Sequence, residues 1–227
     1  MQTKSEGRGK LIVLEGIDGS GKSTQYERLC ERLSAEGYSY RKVKFPRYGE
    51  DSSALIRQYL RGDFGSDPAD VNPYAASVLY AVDRFASYMT DWKDYYNNGG
   101  LILLDRYTTS NACHQGSKVP PEGRQEFLDW LYGFEFRLLE LPEPDLVLYL
   151  DTDIAVSSRQ MAKRRSGTGE KADIHEKNAG YLAECLEAGH YAAKHYGWTV
   201  IHCVSGGNMR GIDDIHEEIY SKVKEVI

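Results

Sequence analysis

Residues 16–24 read Gly-Ile-Asp-Gly-Ser-Gly-Lys-Ser-Thr and fit the pattern G-x-x-x-x-G-K-[ST]. The residue types state the chemistry. Gly16, Gly19 and Gly21 let backbone N–H groups turn inward as an anion nest. A helix opening at the end of the motif adds its positive terminus. Lys22 can reach the β- and γ-phosphates of a nucleotide, and the Ser23 hydroxyl can bind Mg²⁺. Asp18, Ser20 and Thr24 complete the set expected around the nucleotide's phosphates.

Further charge lies away from this loop. Asp105 closes the apolar run Leu101–Leu104. At the carboxyl end of a parallel strand it faces the ligand crevice, where it could hold Mg²⁺ directly or through water; a cap for the next segment is the alternative, and Arg106 following at once favours the functional role. Arg47 and Arg106 follow two different strand-like runs. Arginine suits bidentate phosphate binding, and two arginines at strand ends suggest a second anion beside the triphosphate. Arg159, Lys163, Arg164, Arg165 and Lys171 form a basic run leading into a glycine-containing stretch. A solvated helix face is the usual reading of such a run, but a lid closing over phosphates needs that composition. A monophosphate acceptor, with its second pKa at about 6, needs no strong base. Aligning two anions in positive surroundings is then the main catalytic task, and no His–Asp base pair is evident.

The elements that must position these residues are legible as alternating runs. Leu11–Leu14 predicts a strand entering the glycine loop, and Leu29 and Leu33 mark the helix after it, with Gly37 as its stop. Strands are expected at Tyr40–Phe45, Leu101–Leu104, Leu146–Leu150 and Trp198–Val204. Helices are expected at Ser52–Leu60, from Asn72-Pro73 to about Tyr96, and at Gln125–Glu140, Ile154–Arg165, Ala172–Tyr196 and Asp213–Val226. Residues 166–171 read as a flexible polar stretch. Apolar strands without alternation imply burial on both faces. The order implies a three-layer α/β/α fold of the P-loop type around a five-stranded parallel sheet. Residues 1–9 are expected to be a flexible tail and 10–227 one domain, with a lid at about 159–175.

The 227 residues carry a formal net charge of −6. That balance disfavours a coat for nucleic-acid polymers or an anionic membrane surface. Cys30, Cys113, Cys185 and Cys203 form no Cys-x-x-Cys pair, which reads as reduced thiols and a cytoplasmic location. No signal-peptide or membrane-spanning run is evident.

Five segments in order resemble thymidylate kinase, a P-loop nucleoside-monophosphate kinase family, across nearly the whole chain. They are Gly16–Thr24, Phe45-Pro46-Arg47-Tyr48, Leu79-Tyr80-Ala81-Val82-Asp83-Arg84, Asp105-Arg106-Tyr107 with Ser110-Asn111, and Asp173-Ile174-His175-Glu176. The resemblance implies ATP- and Mg²⁺-dependent phosphorylation of dTMP to dTDP. It implies Asp18 at the sugar 3′-hydroxyl, Arg47, Tyr48 and Arg106 around the acceptor phosphate, and Ser110 and Asp173 in the acceptor site. Arg84 and Asn111 would hydrogen-bond thymine and Tyr80 would stack on it. Tyr80 and Arg84, four apart, share a helix face. His114 stands where an aromatic side chain commonly guards the sugar C2′ position. With no arginine at Gly19-Ser20, the catalytic charge would come from the lid, from Arg159 and Arg164 or Arg165. Ser205, in the loop after the last strand, would lie on the adenine side. A homodimer is implied, with the helix from about Asn72 as its candidate interface.

Other readings fit less well. A deoxynucleoside kinase would place a glutamate base where this chain has Asp105-Arg106-Tyr107. A GTP-binding switch would carry an Asn/Thr-Lys-x-Asp segment, which is not found. Intact Lys22, Ser23, Asp105 and Arg106 disfavour an inactive binding homologue.

Overall fold

The computed structural model describes residues 7–168 and 179–227, without the side chains of 164–168 and 179. In chain order the elements are β1 (Lys10–Glu15), α1 (Lys22–Ala35), β2 (Tyr40–Lys44), α2 (Ala54–Arg61), α3 (Pro73–Ser87), α4 (Lys93–Asn97), β3 (Leu101–Asp105), α5 (Thr108–His114) and α6 (Arg124–Tyr132). There follow β4 (Leu146–Asp151), α7 (Ile154–Thr168), α8 (Ala179–Tyr196), β5 (Thr199–His202), β6 (Val204–Ser205), β7 (Asn208–Met209) and α9 (Ile212–Lys224).

The five long strands form one parallel sheet in the order β2-β3-β1-β4-β5, as the apolar runs imply. β1 shows why it lies at the centre. Leu11 and Val13 pack with Tyr88, Trp92 and Phe127 on one face, and Ile12 and Leu14 with Leu29, Leu33, Ile215 and Ile219 on the other. All four β1 side chains are fully buried, each contributing about 1.5–3 kcal/mol through removal from water. The order also places the chemistry. β1 has β3 on one side and β4 on the other, a topological switch point of the kind where α/β sheets bind ligands. Leu14 pairs with Asp105 in register, Phe45 N–H donates to the Asp105 carbonyl, and Arg106 N–H donates to that of Leu14. Three adjacent strand ends thus deliver Arg47, Arg106 and the glycine loop side by side.

Several boundaries differ from the sequence expectation. The helix expected from Asn72 to about Tyr96 is interrupted by a π-helical turn at Tyr88–Trp92, and the one expected over Gln125–Glu140 becomes π-helical at Gly133–Leu138. Ser166, Gly167 and Thr168, expected in a flexible stretch, lie within α7. The last strand ends at His202, and β6 instead pairs antiparallel with β7. Gly206 and Gly207, with φ of 57° and 73°, form the turn between them, as a tight hairpin requires. α5 had no sequence expectation. The expected helix from Ala172 is described only from Ala179.

Candidate active site

The glycine loop closes as its motif requires. Gly21, at φ 86°, turns the chain into α1. Gly19 approaches α7 so closely that a Cβ there would sit 2.4 Å from the Ser157 carbonyl oxygen. Ser157 Oγ donates to the Asp18 carbonyl at 2.5 Å and ties the loop to that helix. A cleft of about 530 Å³ opens over the loop, lined by Asp18 to Gln25 and, opposite, by Gln160, Lys163, Met209, Arg210 and Ile212. Ser23 and Thr24 are exposed on the first turn of α1. Ser20 is buried, its hydroxyl without a partner among the described residues.

Lys22 Nζ lies 2.9 Å from Asp105 Oδ1, and Lys44 Nζ lies 3.3 Å from Oδ2. Burial, then the neighbouring Arg106 charge, pushes the Lys22 ammonium below its ordinary value, while Asp105 opposes them. Burial alone would push Asp105 up, but Lys22, Arg106 and Lys44 together hold it below the usual carboxylate range. The pair is thus an internal counter-ion arrangement.

Arg106 occupies the left-handed backbone region at φ 72°, a conformation costing about 1 kcal/mol or more. Its guanidinium, 15% exposed, reaches Asp18 Oδ1 at 2.5 Å through Nη2, while Nη1 lies 3.4 Å from Glu15 Oε1, Ser110 Oγ and His114 Nε2. Burial opposes its charge, but Asp18, Glu15 and Asp105 outweigh it and raise the guanidinium above its ordinary value. Arg47 is held similarly. Asp83 accepts from the Arg47 backbone N–H at 2.8 Å and from Nε at 3.2 Å, and Ser52 bonds both residues.

Arg84 is 1% exposed and makes a bidentate pair with Glu135, at 2.6 Å from Nε and 2.5 Å from Nη2, with Nη1 3.4 Å from the Tyr107 carbonyl. Asn111 is buried and donates to the Ser77 carbonyl. The Tyr80 ring stands edge-on to Tyr59 at 6.4 Å, and Tyr48 is half-exposed. Tyr80 and Arg84 lie on α3 and Asn111 on α5, the helix that follows Arg106. The structure therefore brings the P-loop residues, Asp105, Arg106, Arg47, Ser110 and His114 together, with Arg84, Asn111 and Tyr80 beside them.

Other expected residues fall elsewhere. Arg159 Nη2 donates to the Gly207 carbonyl at 2.8 Å, in the β6–β7 turn. Ser205 is exposed and is not among the residues lining the cleft, whereas Met209 and Arg210 are. Arg164 and Arg165 lie on the α7 backbone with their side chains outside the described set, and Lys171, Asp173 and the rest of the expected lid lie outside the described residues.

Sequence reasoning missed the carboxylates that aim the arginines. Glu15 is fully buried and accepts from Gly16 N–H, Thr109 Oγ1, Ser110 Oγ and Arg106. Its signal was a carboxylate closing an otherwise apolar strand. Asp83 stands next to Arg84 in the segment Leu79–Arg84. Glu135, 51 residues from Arg84, left no local signal.

The family model described as thymidylate kinase matches residues 14–205. A thymidylate kinase of Mycobacterium tuberculosis is 31% identical over 172 residues, covering 74% of this chain and 78% of its own. The human thymidylate kinase is 29% identical over 213 residues, covering 93% and 88%. The solved structure of a thymidylate kinase from Candida albicans superposes with a TM-score of 0.71 at 23% identity, covering 97% of this chain and 93% of that one, and shows the same fold. With this match across the glycine loop, Arg47, Arg106 and the helices between them, the chain is a phosphotransferase that belongs to the thymidylate kinase family.

Proposed function

We propose that this enzyme transfers the γ-phosphoryl group of ATP to dTMP, giving dTDP and ADP, as a step in supplying pyrimidine deoxynucleotides in the cytoplasm. One observation carries the reading. Two arginines, Arg47 and Arg106, stand at neighbouring strand ends beside Lys22, each aimed by carboxylates. A neutral acceptor hydroxyl would not need them; a phosphate dianion would.

The chain's own groups suit this transfer. Lys22 exchanges Asp105 for the β- and γ-phosphates when the triphosphate enters. Arg106, spanning Asp18 of the P-loop and Ser110 of α5, lies where the two substrates' phosphates meet, so its charge serves the acceptor and the forming bond. We assign the base edge to Arg84, which Glu135 and the Tyr107 carbonyl hold in place, and to Asn111, with Tyr80 as a stacking face. Mg²⁺ fits this donor set. Among the described residues no three-membered cluster of His, Cys, Asp or Glu could hold a metal; Ser23 and Asp105 would hold it with phosphate oxygens, the usual arrangement for this ion. The metal would neutralise charge on the phosphates. We assign the lid role to residues 159–175, whose basic run would supply charge missing from Gly19-Ser20.

We assign α3 to a homodimer interface. Tyr74, Val78, Val82 and Phe85 of α3, with Met89 of the π-helical turn after it, are 36–51% exposed and recur every three or four residues, an apolar stripe along one face. No helix among the described residues is long and apolar enough to cross a membrane. A second copy buries the same stripe against itself. Val82→Glu is expected to convert a sedimenting dimer into a monomer; a wild-type monomer at micromolar concentration would sink the assignment.

The activity is tested by ADP release from ATP and Mg²⁺ with dTMP, dUMP, UMP, dGMP or thymidine as acceptor. Strong preference for dTMP is expected. Turnover with thymidine but not dTMP would overturn the reading and leave Arg47 and Arg106 without a purpose.

A further inference from the structure

His114 lies one turn beyond Ser110 on α5, with its ring buried. Its Nε2 is 3.4 Å from Arg106 Nη1 and its Nδ1 is 3.5 Å from Cys185 Sγ on α8. A guanidinium carries donors and no acceptor, so Nε2 must present its lone pair. The other side of the ring accommodates that tautomer. Ser117 Oγ donates to the His114 carbonyl at 2.9 Å. The Cys185 thiol donates to Ser117 Oγ at 3.5 Å. Burial pushes that thiol up to about 12, so it keeps its hydrogen. With its hydrogen so directed, Sγ offers Nδ1 only lone pairs, and Nδ1 bears the imidazole hydrogen.

We infer that His114 is a positioning residue, set in its Nδ1–H tautomer by Cys185 and Ser117, whose Nε2 lone pair draws Arg106 toward the acceptor side of the site. The need is electrostatic. Asp18 and Glu15 attract the same guanidinium from the P-loop side, and both are anions. A third carboxylate on α5 would aim the arginine too, but would repel an incoming phosphate. A neutral lone pair aims without that repulsion, and an imidazolium would repel the arginine itself. The chain Ser117, Cys185, His114, Arg106 thus ties α8 to the arginine, through a tautomer assigned from hydrogen bonds.

The inference rests on Arg106 as the acceptor-phosphate ligand, so the test has an arm independent of activity. Histidine side-chain ¹⁵N spectra, with the His114 signal identified by its loss in His114→Gln, are expected to show hydrogen on Nδ1, and Cys185→Ala to introduce the other tautomer. An Nε2–H signal in the wild type overturns the inference whatever the acceptor. In kinetics, His114→Leu keeps similar bulk without an acceptor and is expected to raise KM for dTMP about tenfold, as for a lost hydrogen bond to a charged group, with KM for ATP nearly unchanged. His114→Gln, whose carbonyl reaches the Nε2 position, is expected to recover most of that loss. A buried site that needs only apolar filling would favour leucine over glutamine. Leucine equal to or better than glutamine therefore overturns the positioning role, whereas wild-type failure with dTMP overturns the proposed function instead.

Discussion

Lys22→Met is expected to lower kcat by about two to three orders of magnitude, the usual cost of removing one preorganised group that meets developing charge. Methionine keeps the stem's length and apolar contacts and removes the ammonium alone. The same change strands Asp105, which is 1% exposed. Its second oxygen retains Lys44 at 3.3 Å, on a side chain 63% exposed, so the carboxylate is only partly compensated. A stability loss of about 1–3 kcal/mol follows. Stability and catalysis can therefore be separated by a second substitution. Lys22→Met with Asp105→Asn removes the stranded charge and is expected to regain most of the lost Tm with no return of turnover. Thermal unfolding and steady-state kinetics on the two variants check this. Substantial turnover by Lys22→Met, or its return in the double variant, would remove Lys22 from the phosphate site.

The parts of this site that were legible in the sequence are those written locally. The glycine loop announces itself because its spacing, its preceding strand and its following helix serve one mechanism. The apolar strands announce a parallel sheet because burial on both faces leaves no alternation. α5 was not legible. Thr108, Thr109, Ser110 and Asn111 are poor helix formers, and the helix exists because Thr109 and Ser110 bond Glu15 while Thr108 bonds Glu135. Tertiary partners override propensity there. The hairpin at Val204–Met209 had its signal, since two glycines between short runs favour a tight turn, but a continuous strand was the simpler expectation. The π-helical turns at Tyr88–Trp92 and Gly133–Leu138 leave the apolar pattern close to that of an ordinary helix. Arg47 and Arg106 are legible as charges at strand ends, but Asp83 and Glu15 become visible as their partners only once the strand order puts β1, β2 and β3 side by side.

Glu135 is the strongest case of a residue whose role is purely tertiary, and its removal is expected to have the largest effect on stability. Its carboxylate is fully buried, makes two short bonds to a guanidinium that is itself 1% exposed, and accepts a third from Thr108 Oγ1 at 2.7 Å. Glu135→Ala leaves Arg84 charged, buried and unpaired. Breaking one side of such a pair costs about 3–5 kcal/mol, which lowers Tm by about 6–20 °C in a chain of this size. The pair need not be there for stability, because replacing both members by apolar side chains of similar bulk is often neutral or better. Arg84→Met with Glu135→Met is accordingly expected to unfold well above Glu135→Ala, near the wild type. If Arg84 reads the acceptor base, that stable double variant will still lose its preference for dTMP over other monophosphates, with KM for ATP unchanged. A Tm for Glu135→Ala within about 2 °C of wild type, too small a shift for a broken buried pair, would show that the pair is not buried as described. A double variant that keeps its full preference for dTMP would make Arg84 a structural residue and move base recognition to Asn111 and Tyr80.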